Sequence, residues 1–143
     1  MKFIHFLLIA LILTLSLYTF AAEVKSLTCT TANSEIHKVV VDFPRAVNPL
    51  SPFIGFLSFT ASVSVYKYDS RVYQHKNVRV TPEVYTTDIN LRGDAEGVYL
   101  RLYPQVIEGE FTHYTGQLFI NDLNQKAYFN FKDIGDQPGL DCQ

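Results

Sequence analysis

The chain has 143 residues, of which 48% are hydrophobic, and its 12 basic and 14 acidic side chains give a formal net charge of −2. This length fits a single domain with its own core. The slightly acidic balance excludes the clustered Lys and Arg surface of a nucleic-acid-binding domain, and no polybasic stretch suggests attachment to a membrane surface.

The N-terminus has the three-part layout of a secretory signal peptide. Lys2 supplies a short basic start, an unbroken apolar run extends from Phe6 to Leu13, and small residues follow at Ala21 and Ala22. We therefore predict a signal peptide at residues 1–21, cleaved after Ala21, in a secreted or periplasmic protein. The remaining residues 22–143 are predicted to form one β domain.

A membrane-spanning anchor and a lipid anchor are the two alternatives to a cleaved signal peptide. A membrane-spanning anchor needs about 20 predominantly apolar residues, and residues 3–20 nearly meet that length. Polar residues late in this run, and the small residues after it, favour cleavage instead. A lipid anchor needs a cysteine directly after the apolar run, whereas the first cysteine is Cys29. The mature form is therefore expected not to be embedded in a membrane.

The two cysteines, Cys29 and Cys142, lie near opposite ends of the predicted domain. Exported proteins meet an oxidising compartment in which disulfides persist. Redox-active cysteines are usually close in sequence, as in Cys-x-x-Cys, and these two are not. We therefore predict a structural disulfide between Cys29 and Cys142 that joins the terminal regions.

Period-two alternation of apolar and polar residues dominates the rest of the chain and is typical of half-buried strands. In LSFTASVSVYKY (57–68), every second residue from Leu57 to Val65 is apolar, a pattern that would scatter around a helix. Strands are predicted at residues 24–30, 35–43, 57–68, 71–81, 84–91, 97–104, 113–121 and 126–133.

Turn-forming residues separate these runs. Turns are predicted at residues 44–52, 75–77, 92–97, 108–110 and 121–125, and the last of these joins two strands into a hairpin. No stretch combines a helical period with helix caps. About eight strands at regular spacing predict an all-β, antiparallel β-sandwich, with a small closed β-barrel as the alternative.

The choice between these two architectures depends on what fills the centre. Phe59, Phe129 and Phe131 lie on the inward faces of their predicted strands, and such large side chains favour the packed core of a sandwich. A closed barrel could instead hold a small ligand in its interior.

The polar residues form no recognised catalytic or metal-binding pattern. His37, His75 and His113 share no metal-ligand spacing, and both cysteines are assigned to the disulfide. No G-x-S-x-G nucleophile motif occurs. Glu108 and Glu110 belong to a predicted hairpin turn rather than to a glycosidase pair. We therefore expect no enzymatic activity, no metal and no cofactor.

The tripeptide Arg92-Gly93-Asp94 resembles the short sequence that integrins read in matrix proteins. Three residues are too few to be specific, and Gly-Asp is also common in turns between strands. The tripeptide is therefore interpreted as part of a turn.

Exposed tyrosines are the most informative polar-face residues. Tyr66 and Tyr68 continue the polar face of one predicted strand, and Tyr99, Arg101 and Tyr103 form a row on another. Tyr and Arg are typical of binding hot spots. Cross-strand pairing of aromatic residues is the structural alternative, because it stabilises a sheet without any ligand.

These features predict a small exported, non-enzymatic binding domain, with these five residues as the possible binding surface. Its partner is an unidentified protein or small ligand. Two alternatives stay open: a β-barrel carrier of a small apolar ligand, and an inhibitor of a secreted hydrolase.

Overall fold

The computed structural model describes residues 23–32, 38–49, 58–85 and 88–143. The predicted signal peptide, His37 and the end of the predicted 44–52 turn lie outside the described residues. Within these ranges the chain forms nine β-strands: β1 (Val24–Thr31), β2 (Lys38–Val47), β3 (Phe59–Lys67), β4 (Ser70–Tyr85), β5 (Asp88–Ala95), β6 (Val98–Ile107), β7 (Glu110–Asp122), β8 (Ala127–Phe131) and β9 (Leu140–Cys142). No helix in the described ranges is long and apolar enough to cross a bilayer.

The strands form one antiparallel sheet that closes on itself. Successive strands pair from β1 to β7, and the short β9 lies between β1 and β7 to complete a ring of eight strands. The remaining strand, β8, pairs with the C-terminal half of β7. The all-β antiparallel prediction is therefore confirmed, and of the two predicted architectures the structure has the closed barrel rather than the sandwich.

The side chains inside the barrel explain why the inward phenylalanines do not indicate a sandwich. The fully buried side chains are mainly Val, Leu and Ile, which suit the interior of an eight-stranded barrel. Phe131 is buried, but Phe59 and Phe129 are only partly buried against the core. Phe129 stacks on Phe131, and Phe59 packs edge-on against Phe43. Phe129 and Phe131 therefore pack together at the core of the closed barrel, and Phe59 packs with Phe43, so large inward aromatic rings do not require two separate sheets.

The predicted turn at residues 75–77 is an irregularity within β4. Ala61 pairs with Val78 and Val63 pairs with His75, so β4 carries one more residue than β3 over this interval. The extra residue makes a β-bulge. The His75 ring supports it, because Nδ1 accepts a hydrogen bond from the Asn77 backbone N–H at 3.2 Å.

Three further boundaries differ from the predictions. The predicted strand 84–91 is divided, because β4 ends at Tyr85 and β5 begins at Asp88. The predicted 92–97 turn is mostly strand: β5 continues to Ala95, and only Glu96 and Gly97 form the turn, with Gly97 at φ 73°. Likewise, β2 extends into the predicted 44–52 turn as far as Val47.

The predicted hairpin at residues 121–125 is confirmed, since β7 and β8 pair across it. Asp122 begins the turn, and its carboxylate accepts hydrogen bonds from the backbone N–H groups of Asn124 and Gln125. The same carboxylate accepts the buried Tyr73 hydroxyl at 3.0 Å. Because Tyr73 belongs to β4, this bond joins the hairpin to a strand that pairs with neither β7 nor β8.

The predicted disulfide between Cys29 and Cys142 is confirmed. The two residues face each other across β1 and β9, and both are fully buried. The link therefore holds the short β9 in the ring. It is also consistent with an oxidising, extracellular environment.

Candidate binding surface on the outside of the barrel

Tyr99, Arg101 and Tyr103 occupy successive outward positions of β6. The residues between and beside them, Val98, Leu100 and Leu102, are buried in the barrel, which is the alternation expected of a half-buried strand. The row is therefore positioned by the packing of its own strand. The three side chains lie on the outer, solvent-facing side of the sheet.

Tyr66 and Tyr68 lie elsewhere. Tyr66 is on β3, three strands from β6, and its ring is 4.8 Å from Lys38 Nζ on β2. Tyr68 is in the turn after β3, with φ 54° and a strongly exposed ring. The structure thus brings together three of the five predicted surface residues and leaves these two apart.

Two aromatic residues extend the β6 row across the neighbouring strands. Phe119 on β7 pairs directly with Tyr99, and its ring makes an edge contact with Tyr128 of β8 at a centroid distance of 5.7 Å. We call Tyr99, Arg101, Tyr103, Phe119 and Tyr128 the outer aromatic face. Sequence reasoning missed the last two, although both stand at positions where alternation usually places a polar residue.

The charge on this face comes from Arg101. Its guanidinium lies 4.5 Å from the centre of the Tyr99 ring. The residue opposite on β5 is Arg92. Arg92 binds Asp94 through Nε at 2.7 Å and lies 3.5 Å from Glu83, and the Asp94 hydrogen bond is the main reason that its pKa is raised. Across the described ranges, Arg101 has no such carboxylate partner.

Arg101 is also incompletely hydrogen-bonded. Its Nη1 is shielded from solvent and has no hydrogen-bond partner among the described residues. On the other side, Arg101 faces Gln117 of β7, and Gln117 donates from Nε2 to Asp133 at 2.8 Å. The polar residue opposite Arg101 on β7 is therefore hydrogen-bonded to another group.

A pocket of about 220 Å³ borders the Tyr103 end of the row. Tyr103 of β6 and Thr115 of β7 line it, together with Asp133, Asp136 and Pro138 of the segment before β9. Asp133 holds this segment in place, because it accepts hydrogen bonds from both Gln117 and the Gly139 backbone N–H. The outer aromatic face is therefore concave at one end.

The Arg92-Gly93-Asp94 tripeptide is part of strand β5, so its interpretation as a turn is wrong. Arg92 and Asp94 bind each other. Gly93 is buried, and a Cβ there would come within 2.9 Å of Leu100 Cβ. The tripeptide is consequently not displayed as a loop.

Within the part of the chain that the structure describes, no three His, Cys, Asp or Glu side chains could hold a metal ion. His75 supports the β4 bulge, and His113 lies 3.9 Å from Asp141. Glu108 is in the two-residue turn between β6 and β7, and Glu110 begins β7.

A second opening lies between β1 and the start of β7. This pocket has a volume of about 300 Å³, and Leu27 and Phe111 contribute apolar surface to it. The Phe111 ring contacts that of Tyr114, whose hydroxyl is buried without a partner among the described groups. Burial raises the pKa of Tyr114, so this phenol stays neutral.

No protein-family model matches the chain, and no curated protein or solved structure is detectably similar to it. Its function must therefore be inferred from these surfaces.

Proposed function

We propose that the chain is a non-enzymatic binding domain that captures a protein partner on its outer aromatic face. One observation carries this proposal: four aromatic rings stand on the outside of β6, β7 and β8. Tyr128 is 64% exposed, Tyr99 42%, Tyr103 39% and Phe119 37%. Exposed apolar surface gathered in one patch is typical of interaction sites.

The composition of the face also supports protein binding. Tyr and Arg are enriched in the residues that contribute most to protein–protein affinity, because they combine a large contact area with polar groups. The strands that display them are fixed by sheet pairing on both sides of β6 and β7. A preorganised surface loses little conformational entropy when a partner binds.

We further propose that this binding occurs outside the cytoplasm, in the secreted or periplasmic form that remains after cleavage at Ala21. The Cys29–Cys142 disulfide and the leader-like N-terminal sequence support this location. An inhibitor of a secreted hydrolase is one form of this proposal, in which the captured partner is the enzyme.

The test replaces Tyr99, Arg101 and Tyr103 together by Ser. Immobilised wild-type and variant domains are exposed to the extracellular or periplasmic fraction of the source cells, and bound proteins are quantified by mass spectrometry. Because these side chains point outward, the variant is expected to keep its circular dichroism spectrum and to lose the partner.

The matched control is Tyr66→Ser, which removes an aromatic ring from the distant β3. Capture by the control should equal that of the wild type. Equal capture by the triple variant would contradict the proposal, and so would equal loss in both variants.

The opening between β1 and β7 favours a second candidate, a carrier of a small apolar ligand. Its volume of about 300 Å³ could accept a small molecule beside Leu27 and Phe111. Native mass spectrometry of the domain purified from its own compartment should then show a bound small molecule. A Phe111→Asp variant should lose it, and a spectrum of the bare chain alone would argue against the carrier.

A further inference from the structure

The chemistry of the partner follows from the arginine at the centre of the outer aromatic face. We infer that Arg101 receives a single carboxylate, so that the partner presents an isolated Asp or Glu side chain flanked by apolar surface. This inference rests on the proposed function, and it makes Arg101 the residue that determines which partner binds.

Two facing arginines on β5 and β6 differ in how their charges are compensated. Arg92 and Arg101 are directly opposite each other, and like charges in that arrangement destabilise a sheet. Arg92 is compensated by Asp94 and Glu83. Arg101 has no ion pair in residues 23–32, 38–49, 58–85 or 88–143, so its charge is not balanced by a contact within the domain.

The guanidinium of Arg101 also has an unused hydrogen-bond donor. A guanidinium carries five N–H donors in a planar fork that matches the two oxygens of a carboxylate. Nη1 is shielded from water and unbonded in the described structure, which is unfavourable for a charged group. A carboxylate that draws the guanidinium away from the Tyr99 ring would supply the missing acceptor.

Two tyrosine residues flank the charge of Arg101 on β6. Tyr99 and Tyr103 lie two residues to either side of Arg101 on the same face of β6. Once a partner covers these rings, water is excluded from the pair between them, and an ion pair shielded from water is stronger than one exposed to it. The aromatic rings thus provide contact area, and the arginine provides selectivity.

The surrounding charges decide which anion suits the site. Asp94, Asp133 and Asp136 stand near the outer aromatic face, and the chain as a whole carries a formal charge of −2. These carboxylates repel a polyanion such as a sulfated glycan. They interfere much less with one carboxylate held between two tyrosine rings, which favours an acidic side chain of a protein.

The test uses nuclear magnetic resonance titration with two blocked tripeptides, acetyl-Leu-Glu-Leu-amide and acetyl-Leu-Gln-Leu-amide. The Glu peptide is expected to shift the Arg101 Nε–Hε resonance and the amides of Tyr99 and Tyr103. The Gln peptide should bind about tenfold to a hundredfold more weakly, which is the range for losing a charge-assisted hydrogen bond.

Two variants separate a role in binding from a role in stability. Arg101→Gln should abolish the preference for the Glu peptide, and its melting temperature should equal or exceed that of the wild type because a like-charge pair is removed. Arg71→Gln removes an exposed arginine from β4 and should retain the preference. A lower melting temperature for Arg101→Gln would overturn the inference by making Arg101 a structural residue.

The remaining outcomes distinguish this inference from the proposed function. Equal binding of both peptides at Tyr99 and Tyr103 would overturn the acidic preference and leave the outer aromatic face as a binding surface. No shift at this face with either peptide would also overturn the inference, and the Ser triple variant then tests the face independently. Tighter binding of a heparin-derived disaccharide than of the Glu peptide would overturn it in favour of a sulfated glycan.

Discussion

Gly116 shows how closely β6 and β7 approach beneath the outer aromatic face. A Cβ at this position would collide with the Arg101 carbonyl oxygen and would come within 3.0 Å of Leu102 Cδ2. The main obstacle is backbone, which cannot rotate away as a side chain can. The pairing that positions Arg101 therefore requires glycine at this point of β7.

Gly116→Ala is expected to destabilise the barrel by about 3 kcal/mol, at the upper end of overpacking costs. Urea unfolding measures this change. The control is Gly109→Ala, where a Cβ meets nothing within 4 Å and only the positive φ of 81° is unfavourable. That substitution should cost about 1 kcal/mol. Equal losses in the two variants would contradict the steric explanation.

The carboxylate of Asp122 makes stability depend on acid pH. Its pKa is lowered, first by the backbone N–H of Gln125 and also by the Tyr73 hydroxyl. A carboxylate whose pKa is lower in the folded state contributes stability above its unfolded pKa of 3.8 and loses it as pH falls through the folded value. We therefore expect Asp122→Asn to have a lower melting temperature than the wild type at pH 6.

The difference in melting temperature between Asp122→Asn and the wild type should shrink as the pH falls below about 4, because the wild-type carboxylate becomes protonated. Thermal unfolding between pH 7 and pH 2.5 measures it. Asp42→Asn is a comparison at an exposed carboxylate that accepts a single serine hydroxyl. A difference for Asp122→Asn that is constant over the whole pH range would contradict the assigned role.

Residue-level reasoning from the sequence identified three of the five residues of the outer aromatic face. Alternation placed Tyr99, Arg101 and Tyr103 on one side of their strand, because a two-residue period needs only local sequence. Phe119 and Tyr128 were missed because their significance depends on which strands are neighbours. That Phe119 faces Tyr99 follows from the β6–β7 register, which local alternation does not specify.

At the level of elements, the β4 bulge explains why this strand was hard to delimit. Tyr73 is buried before the bulge, whereas Val78 and Val80 are buried after it, so the inward residues change from odd to even numbers. A strict two-residue period is therefore interrupted at Lys76 and Asn77. Asn is common in turns, and the local sequence does not distinguish a turn from a single inserted residue.

Deleting Lys76 should remove the bulge and leave every inward side chain of β4 facing the core. Deleting Arg79 should instead exchange the inward and outward side chains of β4 on one side of the deletion, since a one-residue shift moves each side chain to the other face of the sheet. The Lys76 deletion is expected to keep the dispersed amide resonances of a folded protein in its nuclear magnetic resonance spectrum. The Arg79 deletion is expected to lose them. A folded Arg79 deletion together with an unfolded Lys76 deletion would contradict this assignment of the bulge.

At the level of the whole molecule, closure of the barrel depends on a strand pairing that the alternation of the sequence does not predict. The ring is completed by β9, a strand of three residues that pairs with β1 on one side and β7 on the other. Local alternation is the same in a sandwich and in a barrel. The cysteine spacing did predict that the two ends meet, but not that the C-terminal end joins the ring as a strand.

The disulfide should therefore determine both the stability of the domain and the closure of the ring. Its cysteines are separated by 113 residues, and for a loop of this size the chain-entropy model gives about 4–5 kcal/mol of stabilisation. A Cys29→Ala/Cys142→Ala variant is expected to lose at least that much in urea unfolding, because a buried contact is also removed.

Hydrogen exchange locates the effect of opening the disulfide. In the double alanine variant, amides of β9 and of the adjacent residues Cys29–Thr31 of β1 should exchange much faster, since three paired residues are too few to hold a strand without a covalent link. Amides of β6, which pairs with β7 along its length and with β5 from Val98 to Leu102, should be the least affected. Uniform acceleration in β6 and β9 would mean that the barrel opens as one cooperative unit, and the outer aromatic face would then depend on the disulfide as well.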